Sequence, residues 1–236
     1  MVAAIPFRTK SASSGSDLVK VRIAGELRER ILQGELQPGD LISETQWGPR
    51  LGAAQASVRE AINLLVTEGL VRKEPGCSAR VTKLTSEDIA QAYQVRQVLE
   101  GLAARLLAEQ RADVTSLEQA IEAMNQAAQK QDLRRTVDAD LSFHLQLCEL
   151  PGNAFLALQA RQVLVPVFAF TMIRVHAENT ASDAWVESIE DHNLILAGIR
   201  SGDPSFAEQS ARHAIGKFVT RAAISWAASP TPAEPK

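Results

Sequence analysis

Residues 84–227 limit the fold more than any other part of the chain, because they show helical spacing throughout and no convincing strand. Six helical segments follow one another, separated by short breaks such as Pro151-Gly152. Thr85 and Asp88 have the spacing of a capping pair and predict where the first of these helices begins. Apolar residues make up 45% of the chain, which is enough for a sizeable core. The pattern predicts an all-α helical bundle over residues 84–227.

Residues 18–83 have a different pattern, in which three helices, the second of them short, precede a hairpin. A Pro38-Gly39 turn separates the first helix from the second, and two short strands are predicted on either side of Pro75-Gly76. This order is the layout of a winged helix-turn-helix domain. Two interpretations stay open from the pattern alone. Either the third helix enters the major groove of DNA, or the unit is a small helical domain with a β-ribbon that binds nothing.

The third predicted helix carries the candidate DNA contacts. Gln55, Arg59 and Asn63 recur at every fourth position and form one polar stripe, opposite an apolar stripe that faces the core. The formal charge of residues 18–83 is +2, from ten Lys/Arg and eight Asp/Glu. That charge is small for a nucleic-acid-binding module, so it gives DNA binding only weak support.

The rest of the chain predicts few further features. Residues 1–17 are polar and predict a flexible arm, and the Pro-rich residues 228–236 predict a disordered tail. No apolar run reaches the roughly 20 residues that span a membrane, so no membrane partner is expected. Cys77 and Cys148 make no disulfide framework, which favours a reducing, cytoplasmic location.

Four ionisable side chains in the predicted bundle could meet around one metal ion. Asp140 and His144 stand four residues apart, so a helix directs both the same way. His192 and His213 lie on two other amphipathic helices and could turn toward that pair. One carboxylate and three imidazoles suit zinc or another divalent transition metal. The alternative is that each histidine is a hydrogen-bonded core residue.

Arg96 borders the apolar stripe of the first bundle helix. A guanidinium at the rim of a bundle cavity could bind a carboxylate through two hydrogen bonds. The alternative is an exposed intrahelical pair with Glu100, four residues further on, worth only about 0.3–0.5 kcal/mol.

Taken together, these motifs resemble a known family. The front stretch LRERILQGELQPGDLISE and the third helix resemble the winged-helix domain of GntR-family transcription regulators. The rear motifs VRQVLE, DLSFH, EDHNLILAGIRSGD and ARHAIGKF resemble the FCD ligand-binding domain of the FadR-like branch. The resemblance implies that Asp140, His144, His192 and His213 bind a divalent metal, with zinc expected first. It also implies that a small carboxylate metabolite docks on the metal with help from Arg96, and that Asn153 lines the same pocket.

The resemblance also implies roles in the front domain. The third helix opens with Ala54-Gln55-Ala56-Ser57, where the family usually has Ser/Thr-Arg-Thr-Pro. Gln55 thus replaces an arginine and is expected to read adenine, while Arg59 keeps its usual contact with phosphate or base. The candidate DNA contacts are Gln55, Ser57, Arg59, Asn63, Arg72, Lys73 and Gly76.

The sequence therefore predicts a homodimeric, ligand-responsive transcription regulator that binds double-stranded operator DNA, with repression the commoner logic for this resemblance. It is predicted not to be an enzyme. Two alternatives stay open at this point. One is a regulator for which the metal itself is the signal, and the other is a metal-dependent, hydrolase-like enzyme.

Overall fold

The computed structural model describes residues 15–74, 78–178 and 183–227. The predicted tail, most of the predicted arm and the wing residue Gly76 lie outside the described residues. The first helix begins at Gly15, three residues before the predicted domain boundary.

The front domain packs three helices against a small sheet. Its elements are α1 (Gly15–Leu32), β1 (Leu41–Ile42), α2 (Glu44–Arg50), α3 (Gln55–Thr67), β2 (Val71–Arg72) and β3 (Ala79–Val81). The hairpin of β2 and β3 matches the prediction. The sequence reasoning missed β1, which pairs antiparallel with β3, so that the sheet order is β1-β3-β2. Because β1 is only two residues long, it has no periodicity from which to predict it.

One apolar core joins the elements of the front domain. Apolar side chains of α1 recur on one face, and Ile23, Leu27 and Ile31 are fully buried there. They pack against the buried face of α3, which presents Val58, Ala61, Ile62 and Leu65. The opposite face of α3 stays in solvent, as the alternation of apolar and polar stripes predicts.

The rear domain contains six helices within the described residues. They are α4 (Ser86–Gln110), α5 (Thr115–Gln129), α6 (Leu133–Glu149), α7 (Ala154–Glu178), α8 (Asp183–Arg200) and α9 (Pro204–Ala227). Thr85 caps α4, and its side chain and the Asp88 carboxylate exchange hydrogen bonds with each other's backbone N–H. The predicted fold class, a winged helix-turn-helix followed by an all-α bundle, is confirmed.

Small residues allow the bundle helices to approach closely. Gly101 of α4 lies against Arg212 and Glu208 of α9, and Gly198 of α8 lies against Ser210 of α9. A Cβ at Gly198 would come within 2.8 Å of the Ser210 side chain, so a larger residue there would force α8 and α9 apart. This close contact holds α9 against α8, which carries one residue of the polar cluster described below.

Helix α7 departs from one expectation. Its residues Ala154–Ile173 are long and apolar enough to cross a membrane by length and composition, although the sequence reasoning found no such run. The structure offers another reason for this composition: α7 packs against α4 and α6 of the bundle and also against α1 of the front domain. A helix covered on several sides has few positions left for charged side chains.

The two domains meet along α7. Ala169 belongs to the buried core of the front domain, and Val165 and Ile173 pack against that core. Gly69, just after α3, has φ +74° and lies so close to Pro166 that a Cβ would come within 2.6 Å of the proline Cγ. The third helix of the front domain therefore ends directly on the bundle.

Candidate metal centre

A polar cluster forms where α6 and α8 face each other inside the bundle. Helix α6 buries one apolar face that includes Phe143 and Leu147, and Asp140 and His144 lie one turn apart on the same side. His192 reaches the cluster from α8. All three residues are at least 93% buried, since Asp140, the most exposed of them, is 7% exposed.

Three ligand atoms converge in this cluster. The Nε2 atoms of His192 and His144 lie 3.0 Å and 3.1 Å from the Oδ1 atom of Asp140. The two Nε2 atoms lie 3.2 Å from each other. A tetrahedral zinc with bonds of about 2.0–2.1 Å places its ligand atoms roughly 3.3 Å apart. The spacing of the three atoms therefore fits one small metal ion.

The other ring nitrogens decide which tautomers these histidines adopt. Nδ1 of His192 lies 2.6 Å from the backbone carbonyl oxygen of Ser188, which can only accept a hydrogen bond. Nδ1 of His144 contacts the carboxylate of Glu100, another acceptor. Both Nδ1 atoms therefore carry hydrogen, and both Nε2 lone pairs point at Asp140. Three acceptors without a donor between them require a cation, either a metal ion or an added proton.

Glu100 connects this cluster to Arg96. One carboxylate oxygen contacts His144, and the other accepts a hydrogen bond from Nε of Arg96 at 2.7 Å. Arg96 is 2% exposed, and its guanidinium also stacks on the rings of Tyr93 and Phe168. The exposed pair of the sequence-based alternative is therefore a buried pair, placed beside the metal candidates.

In this cluster the pKa values of the two carboxyl groups are lowered and that of His144 is raised. Burial acts to raise the pKa of Glu100, but Arg96 and His144 outweigh burial and leave that pKa below its ordinary value. Burial likewise opposes ionisation of Asp140, and His192 and His144 still lower its pKa. The pKa of His144 is raised because its two carboxylate neighbours outweigh burial. The cluster is therefore suited to hold a cation.

A cavity of about 40 Å³ opens beside the three ligand atoms. The side chains that line it come from α4, α6, α7, α8 and α9, and include Arg96, Thr171, Asp191 and Ala214. Asp191 pairs with Lys217 at 3.0 Å across α8 and α9. Asp191 directly precedes the candidate ligand His192 in the sequence, and the structure places it in the cavity wall.

The structure does not bring two of the predicted site residues to this cavity. His213 is exposed on α9 and lies outside the group of three ligand residues. The buried face of α9 runs through Ala207, Ala211 and Ala214, so Ala214 lines the cavity and His213 points away from it. Asn153 is also exposed, and its side chain caps α7 by accepting a hydrogen bond from the backbone N–H of Leu156.

Most of the predicted DNA-contact residues are exposed on the front domain. Gln55, Arg59 and Asn63 are exposed along α3, and Ser57 is half-buried. The wing residues Arg72 and Lys73 are also exposed, while Gly76 lies outside the described residues. Nε of Arg59 donates to the Glu44 carboxylate at 3.1 Å, and Nζ of Lys73 lies 3.8 Å from the same oxygen. The sequence reasoning missed this role of Glu44 and the bridging role of Glu100.

A winged helix-turn-helix joined to a helical bundle with a buried polar cluster defines a class of two-domain transcription regulators. The chain belongs to the GntR family of bacterial regulatory proteins. The model of that family matches residues 19–81, and the FCD domain model matches residues 91–217. The family predicted from the motifs is confirmed, and the FCD domain is consistent with the FadR-like branch.

Relatives that align with most of this chain are operon repressors. A probable D-xylose utilization operon transcriptional repressor of Paenarthrobacter nicotinovorans is 28% identical over 213 residues, which cover 88% of this chain and 92% of that protein. The gluconate operon transcriptional repressor of Bacillus subtilis (strain 168) is 27% identical over 195 residues, covering 80% and 79%. The chain is therefore a DNA-binding transcription regulator and not an enzyme.

Solved structures share the fold. The E. coli protein McbR/YncC matches with a TM-score of 0.71 at 19% identity, over 88% of this chain and 98% of that chain. A GntR protein from Rhodococcus sp. RHA1 matches with a TM-score of 0.68 at 23% identity, over 89% and 99%. At these identities the matches support the architecture alone.

Proposed function

We propose that this chain is a homodimeric repressor that changes its affinity for operator DNA when a small carboxylate binds beside a metal in the FCD domain. The observation that supports this most directly is the convergence of three acceptor atoms at 3.0–3.2 Å on the wall of a cavity that Arg96 also lines. That cavity provides a place for a cation and, beside it, a place for an anion.

Asp140, His144 and His192 would hold the metal, and zinc suits one carboxylate and two imidazoles. A metal bound there would supply an electrophilic contact for a carboxylate. His213 is left out of this proposal because it is exposed. Ala214 offers no ligand atom at the cavity wall, so only three protein ligands are proposed. Three-ligand zinc sites keep a coordination position open for water or another molecule.

Arg96 would orient the anion. A guanidinium has five N–H donors, and its bond to Glu100 uses Nε. Its guanidinium carbon lies 4.5 Å from the ring centroid of Tyr93 and 5.1 Å from that of Phe168, and these cation–π contacts help to hold the guanidinium in place. The cavity of about 40 Å³ is small, because a site for one water needs about 10–15 Å³. An acid of more than a few heavy atoms would therefore have to move the cavity walls.

Helix α7 is the proposed route from the cavity to DNA. Phe168 and Thr171 line the cavity, while Ala169 lies in the core of the front domain. Displacement of α7 by a ligand would therefore act on the contact between Gly69 and Pro166. Couplings of this kind are typically about 1–3 kcal/mol, or 5- to 150-fold in affinity.

Operator binding would use α3 in a major groove, with Gln55 and Asn63 facing bases and Arg59 facing phosphate. Two-fold symmetry of a homodimer would match a pseudo-palindromic site. A cytoplasmic location suits such a regulator.

A second candidate function is a metal sensor, for which the ion alone is the signal. The small cavity favours this function because it leaves little room for an organic ligand.

Binding to an operator selected from random duplex DNA separates these functions. Operator affinity is measured for metal-free protein, then with zinc alone, and then with zinc plus each member of a panel of mono-, di- and tricarboxylates and sugar acids. A ligand-gated repressor needs zinc and an acid together, while a sensor responds to zinc alone. Affinity that is unchanged under every condition would contradict both functions.

The ligand assignment has its own matched pair of variants. His192→Ala should remove bound metal from purified protein, as measured by elemental analysis, because it removes one of three ligands. His213→Ala should leave the metal content unchanged, because its side chain lies in solvent. Loss of metal in the His213→Ala variant would overturn the three-ligand site.

A further inference from the structure

Glu44 is an acidic residue beside two of the proposed DNA contacts, Arg59 and Lys73. It is the first residue of α2, behind the Ser43 cap, and its side chain is 25% exposed. Its Oε1 atom accepts a hydrogen bond from Nε of Arg59 on α3 at 3.1 Å. The same oxygen lies 3.8 Å from Nζ of Lys73, next to β2. One carboxylate thus contacts cations from the recognition helix and from the wing.

Electrostatics alone would make Glu44 unfavourable for DNA binding. A carboxylate near a phosphate backbone repels it, and it competes with phosphate for Arg59 and Lys73. The pairing geometry indicates another effect. Arg59 uses Nε toward Glu44, which leaves the Nη groups at the end of the guanidinium for phosphate or a base edge. Long cationic side chains lose substantial rotamer freedom when they are immobilised in a complex, and a side chain that is already held loses less.

We propose that Glu44 is a positioning residue for DNA binding, which orients Arg59 and Lys73 together toward one stretch of DNA backbone. The proposal rests on the proposed contact of Arg59 with DNA. The Arg59 hydrogen bond is the main cause of the lowered pKa of Glu44, so the carboxylate is charged at neutral pH. No other element of the described front domain places a carboxylate within 4.0 Å of Arg59 or Lys73.

The chain offers a matched control for this idea. Glu60 follows Arg59 on α3 and is exposed, and it has no ion pair within the described residues. Glu44→Gln and Glu60→Gln therefore remove the same charge from the same domain. Only the first substitution releases Arg59 and Lys73.

The two variants should change DNA affinity in opposite directions. The probe is the duplex that wild-type protein selects from a random library, and binding is measured by fluorescence anisotropy at several salt concentrations. Glu60→Gln should tighten binding slightly, because it removes repulsion. Glu44→Gln should weaken binding, on the order of threefold to tenfold, because two side chains must then be ordered on binding. Tightening by Glu44→Gln equal to that by Glu60→Gln would overturn the proposal.

A second comparison separates positioning from a structural effect on the fold. In a protein that already carries Arg59→Ala and Lys73→Ala, Glu44→Gln should no longer weaken binding and should act like Glu60→Gln. Weakening that persists there would mean that Glu44 acts through the fold, which contradicts positioning. If Arg59→Ala by itself leaves affinity unchanged, the proposed contact of Arg59 with DNA fails instead.

Discussion

Two carboxylates, one in each domain, hold an arginine in the same way but in different surroundings. Glu100 accepts a hydrogen bond from Nε of Arg96 at 2.7 Å, and Glu44 accepts one from Nε of Arg59 at 3.1 Å. The Glu100 side chain is 1% exposed, whereas that of Glu44 is 25% exposed. The chemistry of the two pairs is therefore alike, and access to water is the main difference.

That difference suits each pair to a separate task. Inside the bundle, water cannot replace a lost partner, so the Arg96 pair and the neighbouring imidazole of His144 must stay together. At the front surface, water can solvate either partner, so loss of the pair costs the fold little. The buried pair can fix the geometry of a ligand site, and the exposed pair can hold Arg59 while leaving its Nη groups open to DNA.

The largest expected difference comes from removing each carboxylate. Glu100→Ala leaves a buried guanidinium without its partner and should lower the free energy of unfolding by about 3–5 kcal/mol. Glu44→Ala should change it by less than about 1 kcal/mol, since the pair is partly exposed. Urea unfolding followed by circular dichroism measures both. Equal losses would mean that burial does not distinguish these two pairs.

A chelator should act on the buried cluster alone. A metal that binds only the folded protein adds about 2.7 kcal/mol at a hundredfold excess over its dissociation constant. Chelation should remove that amount from wild-type protein and nothing from His192→Ala, which lacks the metal already. Thermal unfolding with and without chelator measures the effect. An equal response of both proteins would show that the chelator acts somewhere other than at Asp140, His144 and His192.

The fold could be predicted further than the site, and the reason is periodicity. Amphipathic helices such as α3 and α6 repeat one apolar face over many residues, so their existence follows from the sequence. Strand β1 has two residues and no repeat, so it was missed. The prediction that no apolar run reaches the length of a membrane span does not hold for Ala154–Ile173, which has that length and composition. Helix α7 packs against both domains, and such contacts between domains cannot be predicted from the pattern of one helix.

Predicting the candidate site required knowing which face of each helix points inward. Asp140 and His144 share one turn, so spacing alone predicted that they face the same way. To predict whether His213 faces the site, the orientation of α9 about its axis must be known to within one residue. Its neighbour Ala214 occupies the inward position instead. The four-residue spacing indicated a pair between Arg96 and Glu100, but only burial distinguishes a surface pair from one that orients a ligand.

The contact between the domains can be tested with two glycines. Gly69 and Gly52 both have positive φ, so an alanine at either position costs about 1–2 kcal/mol of backbone strain. A Cβ at Gly52 meets open space, whereas at Gly69 it would meet Pro166. Gly69→Ala should therefore destabilise the protein more than Gly52→Ala in urea unfolding. Equal losses of unfolding free energy would mean that α7 moves away from Gly69 at no cost. That result would weaken its proposed role in coupling the cavity to the front domain.

Arg59→Ala should have the smallest effect on stability and a clear effect on DNA binding. The free energy of unfolding should change by less than about 1 kcal/mol, because the bond to Glu44 lies near the surface. Affinity for DNA should fall across sequences, and the slope of log affinity against log salt should decrease by about 1, as expected for one lost phosphate contact. Gln55→Ala is the control, because loss of a base contact relaxes sequence preference and leaves the salt slope unchanged. An unchanged slope with Arg59→Ala would place the phosphate contact elsewhere, and Arg72 of the exposed wing would be the next residue to test.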